Sequence, residues 1–451
     1  MGPDQAQMDR LMAAMEAKGR RPRPLRRTAL AVAALCAALV LTVAAAYVLD
    51  AFDFLKGRDE YAMLGQTEVY EQYAQPVGTT AAAENGDVLT VDRVAMDGKF
   101  CTIFYSIRFH DPVAGPEKLA EMRTEDYSDL WAGRWEPEFT LYAGGGEVSE
   151  HAYNNSFEPQ HYLADANTLY GAWRFLLKRP LAQGETVELG AVAYEERQSY
   201  DVPPRLKWDL SVSFTAQPIR GEHFAPGASF PVMLQGQTVQ VEVAAVDRSP
   251  LGTLLTLYRE KVKGNDAFGP EFALRDADTG AWIPCAEVVT SHYGEPEGYT
   301  YNTYELFGDV TGLKTLELVP VWRIGSVSPQ HTVALADLPA TDSGNPAGGF
   351  APASYRVGDG KLIVEMRPVG ATTWGYAWLG NGVYFLDAEG NGLFEDVKVE
   401  KYKDRSDGTI TVVCTPSRES FQADVDKVAQ IWHFVQRYDL LEGQAVSIPL
   451  E

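Results

Sequence analysis

Cysteine is scarce, with four in 451 residues, and Cys36 lies inside an uncharged apolar run. The other three, Cys101, Cys285 and Cys414, are far apart, one in each proposed domain. Disulfides need two cysteines close together in a fold, so these three read as buried thiols behaving as small hydrophobes. Stability must then come from apolar cores, which the 45% hydrophobic content can supply. Histidine is also sparse and scattered, at seven residues. The chain has no His-x-x-x-His pair, Cys-x-x-Cys, Gly-x-Ser-x-Gly or phosphate loop, so it offers no enzyme signature and no cofactor or metal set. Basic residues are outnumbered, 39 against 62 acidic. Residues 1–49 carry a net +4, which leaves −27 on the remainder of a chain whose total is −23. A body this acidic repels nucleic acid and anionic surface polymers.

A long apolar run occurs at one place, Thr28 to Leu49. A helix over it would match a hydrocarbon core about 30 Å thick, and the arginines before it (Arg20, Arg21, Arg23, Arg26, Arg27) predict a cytoplasmic N-terminus. Ala44 to Ala46 leave a cleaved signal peptide as the competing reading, against which stand the length of the run and of the charged region before it. Upstream, Asp4 can cap a helix and Gly19 can end it; Met8, Leu11, Met12 and Met15 then form one apolar stripe. That stripe fits either the inner leaflet, beside the basic RRPRPLRR tract, or the groove of a cytosolic protein.

Beyond the apolar run, residues 50–85 read as a juxtamembrane connector, with helix possible between Glu60 and Pro76. Short alternating strands with Gly, Asp and Asn turns follow. A repeat organises them. GDVLTVDRV (from Gly86), GQTVQVEVAAV (Gly236) and GKLIVEMRPV (Gly360) open three units. PEFTLYAGGGEV (Pro137), PEFALRDADTGAWI (Pro270) and VYFLDAEGNGLF (Val383) are the hairpins of the same units. GETVELGAV (Gly184), LKTLELVPV (Leu313) and GQAVSIPL (Gly443) close them. The stretch from Trp173 to Leu189 also aligns without a gap to that from Trp432 to Ile448, so residues 425–441 are expected to be mainly β.

The fold class expected is an all-β ectodomain of three tandem Ig-like β-sandwich units, preceded by one transmembrane α-helix and a short cytoplasmic amphipathic helix. The divisions are 1–27 cytoplasmic, 28–49 transmembrane, 50–85 connector, 86–215, 216–340 and 355–451 for the sandwiches, and 341–354 as linker. DADTG at Asp276 and DAEGNG at Asp387 admit calcium or plain turn chemistry, and their hairpin position favours the turn. Trp131 with Trp135, and Trp374 with Tyr376 and Trp378, are core residues if buried and a stacking surface if exposed.

The run EQYAQPVGTTAAAENGDVLTVDRVAMDGKFCTIFYSIR, Glu71 to Arg108, taken with the preceding apolar segment, resembles the bacterial domain-of-unknown-function family 4179. FPVMLQGQTVQVEVAAVDRSPLGTLLTLYRE, Phe230 to Glu260, is similar to the Ig-like domain, family 5643, that often follows it. The resemblance implies a single-pass membrane protein of a Gram-positive bacterium, described as anti-sigma-like, with no catalytic residues to carry over. The expectation is a cell-membrane sensor or regulator. Its partners would be the lipid bilayer, an envelope ligand outside, and a sigma factor or other cytosolic regulator on the Met8, Leu11, Met12, Met15 stripe. The alternative is a structural or ligand-binding surface protein.

Overall fold

The computed structural model describes residues 50–56, 66–112, 137–150, 160–194, 206–234, 236–260, 270–290, 299–308, 310–323, 330–358, 360–372, 383–394, 397–435 and 437–450. Residues 51–451 form one compact unit. Two short helices, α1 (Ala51–Lys56) and α2 (Thr67–Tyr73), lead into it.

The first sandwich contains β1 (Gln75–Ala82), β2 (Val88–Met96), β3 (Phe100–Arg108), β4 (Glu138–Ala143), β5 (Gly146–Glu147), β6 (Gln160–Leu163), β7 (Thr168–Leu176), β8 (Thr186–Tyr194) and β9 (Leu206–Thr215). One sheet has the order β1-β2-β3-β7-β6 and the other β5-β4-β8-β9. Alternation along β9, where Trp208, Leu210, Val212 and Phe214 point inward between exposed or half-buried neighbours, faces one side of each strand to a common core. Gly171 lies opposite Tyr105 in the β3–β7 pair, and a Cβ there would sit 2.3 Å from the tyrosine ring, so only glycine admits this packing.

The second sandwich uses β10 (Glu222–Phe224), β11 (Ala228–Leu234), β12 (Gln237–Ser249), β13 (Gly252–Glu260), β14 (Glu271–Asp276), β15 (Trp282–Ile283), β16 (Cys285–Thr290), β17 (Tyr299–Leu306) and β18 (Thr315–Arg323). The third uses β19 (Gln330–Ala334), β20 (Gly348–Gly358), β21 (Lys361–Gly370), β22 (Val383–Leu386), β23 (Gly392–Leu393), β24 (Val397–Lys403) and β25 (Ile410–Pro416). After helix α3 (Arg418–Asp424) it adds β26 (Gln430–Phe434). The last two strands, β27 (Tyr438–Leu440) and β28 (Val446–Pro449), return to the second sandwich and pair with β18. Meanwhile β19, which follows β18 in sequence, pairs with β26 of the third. The third sandwich is therefore a circularly permuted unit inserted before the final strands of the second, and each holds the position that a simple tandem chain would have given the other.

The expected fold class is corrected on two counts. Among the described residues no helix is long and apolar enough to cross a membrane. The described α-helices have six or seven residues, about 10 Å of rise against a hydrocarbon core about 30 Å thick. The amphipathic helix with Met8, Leu11, Met12 and Met15, and the span over 28–49, fall outside the described residues. The chain is mostly β, but its sandwiches are nested where a tandem series was expected. The repeat is also one strand out of register in the third unit. β21 pairs with β20 and β25 just as β3 pairs with β2 and β7, so GKLIVEMRPV is the counterpart of Phe100–Arg108 and not of Val88–Met96. Likewise β26 pairs with β22 as β8 pairs with β4, so Trp432 does not correspond to Trp173 on β7. Alternating apolar residues suit any half-buried strand, and partner pairing alone distinguishes neighbours in a sheet.

Cys101, Cys285 and Cys414 are buried thiols that form no disulfide, one in each sandwich core. Ile448 and Leu450 lie in the core of the second sandwich with Leu316 and Leu318. Removing residues 437–451 should accordingly raise amide hydrogen exchange across Thr315–Arg323 while the β21–β25 pair stays protected. Loss of protection in β21–β25 with β18 unchanged would mean that the C-terminal strands belong to the third sandwich.

Candidate functional site

Two contiguous features lie where the sandwiches meet: a buried ionic junction and a cleft. Arg174 projects from the outer face of β7, since its neighbours Trp173 and Phe175 belong to the first core. Its guanidinium packs 3.9 Å from the centre of the Phe100 ring and donates to Glu305 Oε1 at 3.0 Å and to the Leu251 carbonyl at 3.0 Å. Its other terminal nitrogen faces Gln66 Oε1 at 3.5 Å and the Tyr70 hydroxyl at 3.4 Å, at the start of α2 and on it. Glu305, on β17, also accepts from Arg405 Nε at 3.1 Å, just past the end of β24. One carboxylate of the second sandwich thus joins cations from the first and the third.

Gly252 makes this approach possible: a Cβ there would lie 3.0 Å from Arg174 Nη2 and 3.1 Å from Phe100, and its φ of +149° suits glycine. Around it an apolar cluster of Phe52, Leu55, Tyr70, Phe100, Phe104, Leu251 and Leu254 ties α1 and α2 to both sandwiches.

Burial works to raise the Glu305 carboxyl, but Arg174, Arg405 and Lys403 more than offset it and hold the group below the usual carboxylate range. Lys403 is buried, with its ammonium 5.0 Å from the Phe307 ring centre. Burial lowers its pKa to about 7; Glu305 and Cys285 oppose the shift, while Arg405 and Arg174 add to it.

The cleft opens beside Phe100 and Gly252 and has a volume of about 470 Å³. The turn from Asp97 to Phe100, the linker from Pro218 to His223 and the β12–β13 turn surround it. Asp97 Oδ1 accepts from the backbone N–H groups of Lys99 and Phe100, both at 2.6 Å, and its other oxygen accepts from the Ser249 hydroxyl. Asp247 binds His223 Nδ1 at 2.6 Å and Lys99 Nζ at 3.5 Å. Arg248 is committed to Glu222 at 2.9 Å and to the Val310, Thr311 and Leu313 carbonyls. Arg220 is exposed and has no ion-pair partner among the described residues. Clefts of this size between domains are the usual place for small ligands.

Met8, Leu11, Met12, Met15, Trp131, Trp135, Trp374, Tyr376 and Trp378 lie outside the described residues. The two acidic turns are internally satisfied: Asp276 accepts from Asp278 N and the Thr279 hydroxyl, and Asp387 from Glu389 N and both nitrogens of Asn391. These bonds are plain turn chemistry. Sequence reasoning missed Arg174 and Glu305. A signal existed, since each is a lone charge in an otherwise apolar or aromatic strand, TLYGAWRFL and YTYNTYEL. Lys403 and Arg405 sit among other charges and carry no comparable mark.

Residues 20–109, about a fifth of the chain, match the model of a family described as a domain of unknown function, DUF4179. This match covers the basic tract, the apolar run, α1, α2 and the first three strands, and it supports that part of the resemblance. No curated protein matches the chain. Among solved structures, the conserved domain protein from Bacillus anthracis is similar at 13% identity over 60% of this chain and 84% of that one. Its TM-score of 0.38 is too low to bear on fold or function.

Replacing Glu305 by Gln leaves Arg174, Arg405 and Lys403 without their carboxylate. Urea unfolding should show a loss of about 3–5 kcal/mol; a loss below about 1 kcal/mol would mean the junction is dispensable. The pH dependence follows from Lys403. With a folded pKa of about 7 against 10.5 when solvated, the unfolded chain holds the extra proton between those values. Stability then rises with pH over that window, by up to about 1.4 kcal/mol per unit, and this contribution is flat below about pH 7. The difference in unfolding free energy between the wild type and Lys403→Met should follow that slope, and a pH-independent difference would contradict it.

Proposed function

We propose that the chain is an extracytoplasmic sensing or ligand-binding protein of the bacterial envelope, anti-sigma-like in the sense of the family it resembles, and not an enzyme. The observation that carries this reading is the continuity of cleft and junction through Phe100. That ring lines the cleft on one side and packs under Arg174 on the other. Arg174 in turn touches α2, the helix on the N-terminal side of the sandwiches. A ligand seated against Phe100 would shift the balance between arrangements of Arg174 with Glu305 and α2, which is how a binding event outside becomes a signal along the chain. The strand order of the second sandwich, β12-β13-β17-β16 facing β15-β14-β18, supports reading the stretch from Phe230 as the start of an Ig-like domain.

At the other end of this route we assign the Met8, Leu11, Met12 and Met15 stripe to a cytosolic regulator, a sigma factor on the family resemblance, with anionic lipid beside the arginines as its competing contact. The second reading, a structural surface protein, is favoured if the stripe meets lipid alone. A photoreactive residue at Met12 in cells should crosslink to a sigma factor or another regulator, and Met12→Asp with Met15→Asp should abolish the capture. Lipid alone, nothing, or a capture indifferent to the double substitution would overturn the regulator reading.

A further inference from the structure

We propose that His331 and His433 form an acid-sensitive latch that holds the edge strand β19 on β26, and that mildly acidic solution opens it. This goes beyond the sensing role proposed above and does not depend on it.

The pair follows from strand register. In the sheet β19-β26-β22-β23, His331 lies opposite His433, and His433 opposite Val383. Two residues along, Val333, Ile431 and Phe385 form the next row of the same face, and Ile431 and Phe385 belong to the third core. His433 therefore points inward beside that core and is 1% exposed. Its ring stands edge-to-face with that of His331, centres 5.6 Å apart and planes at 81°. The turn from Asp342 to Asn345 packs against His331: a Cβ on Gly344, whose φ is +77°, would lie 2.7 Å from His331 Cβ and Cγ and 2.9 Å from Val435.

Hydrogen bonding makes the pair sensitive to protons. His433 Nδ1 donates to the Phe434 carbonyl at 3.2 Å, and Nε2, the acceptor nitrogen of that tautomer, has no partner among the described residues. A proton on Nε2 would place a donor and a full charge where nothing accepts them. The described groups around it offer no counter-charge. From β19 comes His331, a second positive charge once protonated; from β22 comes Tyr384, whose ring stacks on Trp432 on the opposite face of the sheet. Asp337 and Asp342, which follow β19, and Arg437, past the end of β26, are exposed, and the Asp342 carboxylate accepts from Gly344 N at 2.8 Å. Tyr355 and Cys414 of the facing sheet stay neutral, each pushed up to about 12 by burial. Burial, with His331 adding to it, lowers His433 to about 4 against the opposing Phe434 carbonyl.

The open state fixes the direction of the effect. With β19 lifted, His433 meets water and returns to its ordinary 6.5, so below that value the open form binds more protons than the closed one. The closed form keeps its full advantage above pH 6.5 and loses it as the pH falls toward 4. Through His433 alone the opening equilibrium rises about 20-fold from pH 7 to pH 5. Because β19 receives the chain from β18, opening frees one of the two connections of the third sandwich.

Hydrogen exchange of the full chain at pH 7 and pH 5, with exchange times scaled to the intrinsic rate at each pH, reads the opening of Gln330–Ala334 and Gln430–Phe434 against Ile410–Pro416 as reference. The first two should open about 20-fold more readily at pH 5, the reference should not, and His433→Phe should remove most of the difference. Histidine-selective NMR of the wild type decides the matter if that variant does not fold: the His433 ring should remain mainly neutral at pH 5. Opening that ignores pH, a rise shared by the reference strand, a rise undiminished in folded His433→Phe, or a His433 ring already protonated near pH 6 overturns the latch.

Discussion

One buried carboxylate holds the assembly together. Glu305 lies at the end of a strand in the second sandwich, 1% exposed, with Arg174 of the first and Arg405 of the third on the same oxygen. A lone charge at such depth is costly in a low-dielectric interior, so the contact persists only while both partners remain docked. That makes the junction a reporter of alignment as well as a fastener: if the first or the third sandwich tilts away, Glu305 loses one of its two arginines and the departing arginine loses its carboxylate. Lys403 sharpens this dependence by bringing a third positive charge to a site with one negative group.

Chain topology complements the electrostatics. Because β27 and β28 complete the second sandwich after the third has been built, the third is tethered at both ends to β18 and its neighbours. Arg275 strengthens the closure, reaching from β14 to Glu317 on β18 and to Glu442 between the last two strands. Two anchored connections restrict the third sandwich more than one linker would. The link between the first and second sandwiches is a single strand of chain, residues 216–221, beside the cleft. The cleft therefore lies at the boundary that one covalent connection crosses.

Much of the architecture was legible. Period-two alternation in stretches such as TVQVEV marked strands, Gly and Asp turns marked hairpins, and the separated cysteines foretold thiols buried one to a core. The repeat identified three related units. It misassigned KLIVEM by one strand and matched Trp432 to Trp173, because neighbouring strands of a sandwich obey the same alternation and differ only in their partners. The candidate site was almost invisible, since its residues come from positions 66 to 405 and no local pattern connects them.

The amino-acid order by itself determined the strands, their inward faces, the acidic balance and the absence of stapled loops, because each follows from the period and type of residues close in sequence. Tertiary structure alone decided which sandwich owns the final strands, that Glu305 would meet Arg174 and Arg405, and that Arg220 and His223 would border an apolar cleft. Those outcomes depend on pairing and docking across hundreds of residues, where burial and charge compensation select among arrangements that local patterning leaves equivalent.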